Sequence, residues 1–196
     1  IVDGGILHLI KLWLKAPVIG EDDSGAKKTV GGGKANSKGT PQGGVISPLL
    51  ANCYLHLLDR IWQRQNLKGR LKAHLVRYAD DFVVLCAKGV EEPLKAVRYV
   101  LNRLGLTLNE GKTKVVDATE ASFDFLGFSI RMSRGRQSGK PYPHVCPSDK
   151  SLKKIKAKLT AHTGRELTPI ALDKIVGNVN RSLNGWVNYF HYRNSN

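Results

Sequence analysis

The chain has 196 residues, with 31 Lys and Arg against 16 Asp and Glu, for a formal net charge of +15. A 41% hydrophobic share excludes a disordered polycation, and the length suits one compact domain or one domain with a small appendage. No run of 18 apolar residues occurs, which excludes a transmembrane helix, and three scattered cysteines (Cys53, Cys86, Cys146) form neither a disulfide framework nor a CxxC metal pair.

The first helix is expected after Asp3, with Ile6, Leu7, Ile10, Trp13 and Leu14 at helical spacing and Pro17 ending it. Residues 18–44 read as a long polar loop that holds 8 of the 20 glycines. Gly20 to Gly25 has the spacing that opens a phosphate-binding loop, but Ala26 stands where its lysine belongs, so that reading fails. Ser47-Pro48 predicts a helix start, an N-cap hydroxyl followed by proline at the first helical position, with Leu50, Tyr54, Leu57 and Ile61 as one buried stripe.

Residues 73–87 are two short apolar, β-branched and aromatic runs broken by Ala79-Asp80-Asp81, the pattern of a β-hairpin with a carboxylate pair at its tip. A helix from about Glu92 carries Leu94, Val97, Leu101 and Leu104 on one face and stops at Gly105. Residues 123–130 suggest another strand pair, and 131–147, basic and interrupted by Gly and Pro, read as a linker.

Ser148 or Asp149 should cap a helix with Leu152, Ile155 and Leu159 inside and Lys150, Lys153, Lys154 and Lys158 on the opposite face. Thr168-Pro169 predicts a last helix with Leu172, Ile175, Val179 and Leu183 inside, and Trp186 and Tyr189 read as packing residues. The pattern is thus α+β for about 130 residues and all-helical after that. Charge follows the same division. Residues 127–196 hold 13 basic and 3 acidic side chains, a surplus of ten, against a surplus of five over 1–126. Such a surplus asks for a polyanionic partner, nucleic acid most commonly, with an acidic membrane surface as the rival, and its segregation speaks against a merely soluble basic surface. About five phosphate contacts would give a log–log salt slope near −4.

Asp80 and Asp81 are an acidic pair inside an otherwise apolar stretch. Two carboxylates ~5 Å apart at an effective dielectric of ~20 repel by about 3 kcal/mol, so a buried hairpin tip needs a cation there. A divalent ion such as Mg²⁺, which keeps waters and takes a substrate phosphate, suits them. Because strand neighbours point to opposite faces, Asp80 is expected as the direct ligand and Asp81 in an outer role. The plainer alternative is a turn, with Arg77 offsetting the charge.

The strings GTPQGGVISPLLAN (39–52), RYADDFVVL (77–85), LGLTLNEGKT (104–113) and FLGFSI (125–130) stand in the order seen in group II intron reverse transcriptases, and NRSLNGWVNYF (180–190) resembles the intron-maturase thumb that follows them. The resemblance implies a partial right-hand polymerase palm over 1–130, β-hairpins packed on helices, then a basic linker at 131–147. An all-helical thumb or maturase domain over 148–196 would follow. It implies a two-metal RNA-directed DNA polymerase with maturase-type RNA binding, using Mg²⁺ or Mn²⁺, dNTPs, a DNA primer or target and intron RNA, with no membrane. Tyr78-Ala79-Asp80-Asp81 matches the polymerase hairpin whose aspartates hold the metal. Pro41-Gln42-Gly43 matches the segment against template and nucleotide. Lys112 matches the lysine near the triphosphate, with an ordinary solvated lysine as the alternative reading. The basic face of Lys150, Lys153, Lys154 and Lys158 would grip RNA.

The fingers and the first catalytic aspartate of this family have no match here and are expected upstream of Ile1, so residues 1–196 alone are expected to bind RNA without incorporating dNTPs. The setting expected is intracellular and cytoplasmic, bacterial or organellar. The alternative function is an RNA-binding splicing maturase module without polymerase activity. A metal-dependent nuclease or an unrelated basic DNA-binding domain fits the four ordered motifs poorly.

Overall fold

Asp3 starts helix α1 (Gly4–Leu14): its carboxylate accepts the Ile6 amide at 2.9 Å. The computed structural model describes residues 3–21, 26–33 and 44–192, so Pro41, Gln42 and Gly43 lie outside the described residues. The stretch expected to be a polar loop contains an antiparallel pair, β1 (Pro17–Glu21) and β2 (Lys27–Gly32), in which Ile19 faces Thr29. Gly20, Gly31 and Gly32 dilute the alternation that marks a strand, which is why the pattern conceals it.

The chain divides into two compact units, Ile1–Leu108 and Asn109–Asn196. The core of the first lies between α2 (Ser47–Arg64), the one-turn helix α3 (Leu67–Leu71), the hairpin β3 (Ala73–Tyr78) and β4 (Asp81–Cys86), and α4 (Glu91–Arg103). Leu58 and Ala73 are fully buried, and Trp62, Leu67, Val97, Val100 and Leu101 nearly so. Burying a leucine in this way stabilises the fold by roughly 1.5–3 kcal/mol. The Trp62 indole N–H donates to the Ala73 carbonyl at 3.3 Å, so its polar edge is satisfied inside the core.

Two expectations for α2 need correction. Ser47 is already the first helical residue; Ile46 stands at the cap position, where its side chain offers no acceptor, and Pro48 follows in the first turn. The stripe of Leu50, Tyr54, Leu57 and Ile61 is not the most buried one, since Tyr54 and Leu57 are nearly half exposed. This helix is apolar on more than one side, and the contacts with α4 and the hairpin select the face of Leu58 and Trp62. Helix α4 closes as expected, with Gly105 at φ +66° beyond its end.

The second unit is built on a three-stranded antiparallel sheet, β5 (Phe123–Phe125), β6 (Phe128–Arg134) and β7 (Pro141–Pro147), in the order β5-β6-β7. Residues 131–147 are therefore most of a β-hairpin, not a linker. The prolines that suggested a linker all share one parity of the edge strand: Pro141, Pro143 and Pro147 face Arg134, Met132 and Phe128. Their missing N–H groups then point away from the ladder, which is the one arrangement an edge strand tolerates.

Leu126 and Gly127 make the β5–β6 turn with φ of +51° and +81°, two consecutive positive values as a type I′ turn requires. The Gly127 carbonyl accepts from the Ser148 amide at 2.8 Å and from the Ser151 hydroxyl at 2.9 Å, so this turn is tied to the start of α5 (Asp149–His162). Phe190, at the end of α6 (Leu172–Phe190), packs edge-on against Phe128 with ring centroids 4.9 Å apart. Trp186 lies 4.8 Å from Phe190, and Tyr189 stacks on Phe128 while remaining 56% exposed. Thr168 ends a short 3-10 turn (Arg165–Leu167), and α6 begins four residues later than its sequence signal. After β7 the chain forms α5, the short 3-10 turn and α6, and the unit they belong to includes the sheet and is not all-helical.

Candidate functional site

The β3–β4 hairpin has a strict register, Ala73 opposite Cys86 through Tyr78 opposite Asp81, leaving Ala79-Asp80 as a two-residue turn. Ala73, Leu75 and Arg77 face the same side as their partners Cys86, Val84 and Phe82, toward α2 and α4. Tyr78 and Asp81 face outward; Tyr78 is 65% exposed. The core contacts of one face thus push the tip and both carboxylates out of the core.

Ala79 sits in the left-handed region at φ +54°. Asn and Gly adopt that conformation readily, whereas alanine there costs about 1–2 kcal/mol. The strain is held by hydrogen bonds from Arg77, whose side chain is only 12% exposed. Its Nη1 donates to the Ala79 carbonyl at 2.7 Å and to Asn52 Oδ1 at 2.9 Å. Its Nε donates to the Asp59 carboxylate at 3.1 and 3.2 Å, and Nη2 bonds the same carboxylate. Hydrogen bonding to Asp59 holds the Arg77 guanidinium above its ordinary pKa, against the lowering effect of burial. Arg77 therefore pairs with Asp59, not with Asp80 and Asp81 as the turn reading supposed. Residue typing missed this trio; the signal was an arginine on the inward parity of a strand, which needs a partner, and two polar residues seven apart on one helix.

The Asp80 and Asp81 carboxylates have no hydrogen-bond or ion-pair partner among the described residues, and no third His, Cys, Asp or Glu joins them there. Two free, adjacent carboxylates fit a hard divalent cation that completes its shell with water and substrate oxygens. The expected residues Tyr78, Ala79, Asp80 and Asp81 are thus brought together at one tip.

The others belong to the second unit or lie outside the described residues. Lys112 is in the second unit, in a turn where its amide and that of Thr113 bond the Asn109 carbonyl at 3.0 and 2.9 Å. Lys150, Lys153, Lys154 and Lys158 are all exposed on α5, opposite the half-buried Leu152, Ile155 and Leu159. Lys156 is exposed beside them, and in the same unit Arg131 and Arg134 are exposed on β6 and Arg136 and Lys140 in the turn between β6 and β7. Among the described residues no helix is long and apolar enough to cross a membrane.

The family model described as reverse transcriptase (RNA-dependent DNA polymerase) matches residues 5–130, and that of the group II intron maturase-specific domain matches 152–196. Protein YkfC of Escherichia coli K12 is 30% identical over 160 residues, covering 65% of this chain and 41% of that protein. The group II intron-encoded protein LtrA of Lactococcus lactis is 29% identical over 167 residues, 52% of this chain and 28% of LtrA. The putative COX1/OXI3 intron 1 protein of Saccharomyces cerevisiae is 27% identical over 184 residues, 68% of this chain and 21% of that protein. The chain spans less than half the length of each of these relatives. With most of its length matched by the polymerase family and its last segment by the maturase-specific domain, the chain belongs to the reverse transcriptases of group II introns.

Proposed function

We propose that the chain serves an intron-encoded, RNA-directed DNA polymerase, with Asp80 and Asp81 holding a divalent cation, Mg²⁺ or Mn²⁺, at the β3–β4 tip. The observation that carries this is the pair of partnerless carboxylates on a turn held in one conformation from beneath. A divalent ion there supplies charge stabilisation to the phosphoryl oxygens of the reacting nucleotide. Asp80, in the turn itself, is the direct ligand; Asp81, on the outward face of β4, helps to orient it and its waters. Exposed Tyr78 flanks the site on the side where primer and nucleotide arrive. Pro41, Gln42 and Gly43 contact template and incoming dNTP, and Lys112 offers its ammonium to the triphosphate.

The second unit binds intron RNA through Lys150, Lys153, Lys154 and Lys158. Exposed ammonium groups along two turns of a helix suit a phosphate backbone, which attracts without sequence readout. A maturase module without polymerisation is the second reading, favoured by the maturase-specific match to 152–196. The two are separated in the full-length protein with Asp80→Asn. Loss of primer extension on RNA with splicing assistance retained supports both functions, whereas extension that survives Asp80→Asn removes the metal role of the hairpin.

A further inference from the structure

We propose that Arg77 is a positioning residue, its guanidinium clamping the Ala79 turn to α2 and thereby setting the direction in which Asp80 and Asp81 present their carboxylates. The inference rests on the metal-holding reading of that pair. Arg77 is the last inward-facing residue of β3, so its side chain emerges between the hairpin and α2, directly under the tip. There it meets three acceptors on two elements: Asp59 and Asn52, two helical turns apart on α2, and the Ala79 carbonyl.

The last contact matters most. The Ala79 carbonyl and the Asp80 amide belong to one rigid peptide plane, so a hydrogen bond that orients the carbonyl orients the backbone of Asp80 as well. That plane is the one the left-handed φ of Ala79 would otherwise allow to relax. Asp59 in turn fixes the guanidinium, because a nearly buried cation stays where its carboxylate holds it. Only a planar fork reaches all three acceptors at once; a lysine ammonium, a single point of charge, would keep Asp59 and give up the turn. Arg77 touches neither metal nor substrate. It acts through Asp80.

The test uses the 196-residue chain and the variants Arg77→Lys and Asp59→Asn, with Asn52→Ala as the milder change that keeps the ion pair. Amide hydrogen exchange by NMR reads the turn, and Mn²⁺-induced broadening reads cation binding at the tip. In Arg77→Lys the Asp80 and Asp81 amides should exchange at least ~10-fold faster, as a lost charge-assisted bond implies, with the Ala73 and Cys86 end unchanged. The Mn²⁺ midpoint for broadening at the tip should rise at least ~10-fold, as for other residues that orient a ligand. Unchanged tip exchange, or an even rise along the whole hairpin, overturns the clamp. A Mn²⁺ midpoint that Arg77→Lys leaves in place overturns the positioning role while the metal reading stands. No Mn²⁺ broadening at the tip of the unsubstituted chain overturns the metal reading itself, and the role of Arg77 falls with it.

Discussion

The tip of the β3–β4 hairpin and the lysine face of α5 treat charge in opposite ways. At the tip two carboxylates form no ion pair among the described residues, and Arg77 is spent on Asp59 and the turn carbonyl. On α5 the lysines lie along an exposed face with no ion pair among the described residues, opposite Leu152, Ile155 and Leu159, which are only partly buried. The first arrangement depends on fixed geometry, since a cation with few protein ligands is bound well only where those ligands are already oriented. The second depends on number, since a phosphate backbone rewards each added positive charge about equally.

Substitutions can break this contrast, and the largest effect is expected at the tip. Asp80→Asn in the full-length protein should reduce primer extension on an RNA template by roughly 100-fold, the upper end of what a lost orienting group costs, because Asp80 is the direct ligand, while RNA affinity stays within about twofold. A matching loss of RNA affinity would show that the two regions are not separable. Replacing Lys150, Lys153, Lys154 and Lys158 with Ala should do the reverse. The log–log salt slope of RNA binding should flatten by about 3, from four lost phosphate contacts, with Mn²⁺ broadening at Asp80 unchanged. A slope that does not move would take RNA away from this face.

A smaller effect is expected for Gly127→Ala, which sharpens the contrast by testing what holds the lysine helix in place. A Cβ on Gly127 would lie 3.0 Å from the Ser151 hydroxyl and 3.4 Å from the Phe190 ring, on a backbone with φ +81°. Destabilisation of about 1–3 kcal/mol is expected, read as a fall in the melting temperature of the second unit with hydrogen exchange in β3 and β4 unaffected.

The smallest effect concerns Asp117, where hydrogen bonds from the Thr119 hydroxyl and amide hold the carboxyl below its ordinary range. A lowered folded pKa means a contribution that is present above the unfolded value, about 3.9, and is lost as pH falls through the folded one. Asp117→Asn should thus lower the melting temperature slightly at pH 6 and bring it level with the parent in strong acid. A constant gap across that range would assign the effect to packing.

Much of the first unit was legible beforehand because its signals are local. The hairpin and its tip follow from two apolar runs around Ala79-Asp80-Asp81, and α1 and α4 from a capping aspartate and a closing glycine. The β6–β7 hairpin was not legible, because prolines in an edge strand imitate a linker until the register shows that they share one parity. The buried face of α2 was misplaced by a residue or so, since a helix apolar on several sides does not declare which side meets the core.

What the sequence determined by itself is the chemistry on offer: a carboxylate pair in an apolar hairpin, a lysine face opposite a leucine face, and the ordered motifs of a reverse transcriptase. Those are properties of residue type and spacing. Tertiary structure alone decided how the carboxylates are held. Asn52, Asp59 and Arg77 lie up to 25 positions apart, and no short-range rule pairs them. They meet because the inward parity of β3 and two turns of α2 converge beneath one strained peptide, where a nearly buried guanidinium must find acceptors.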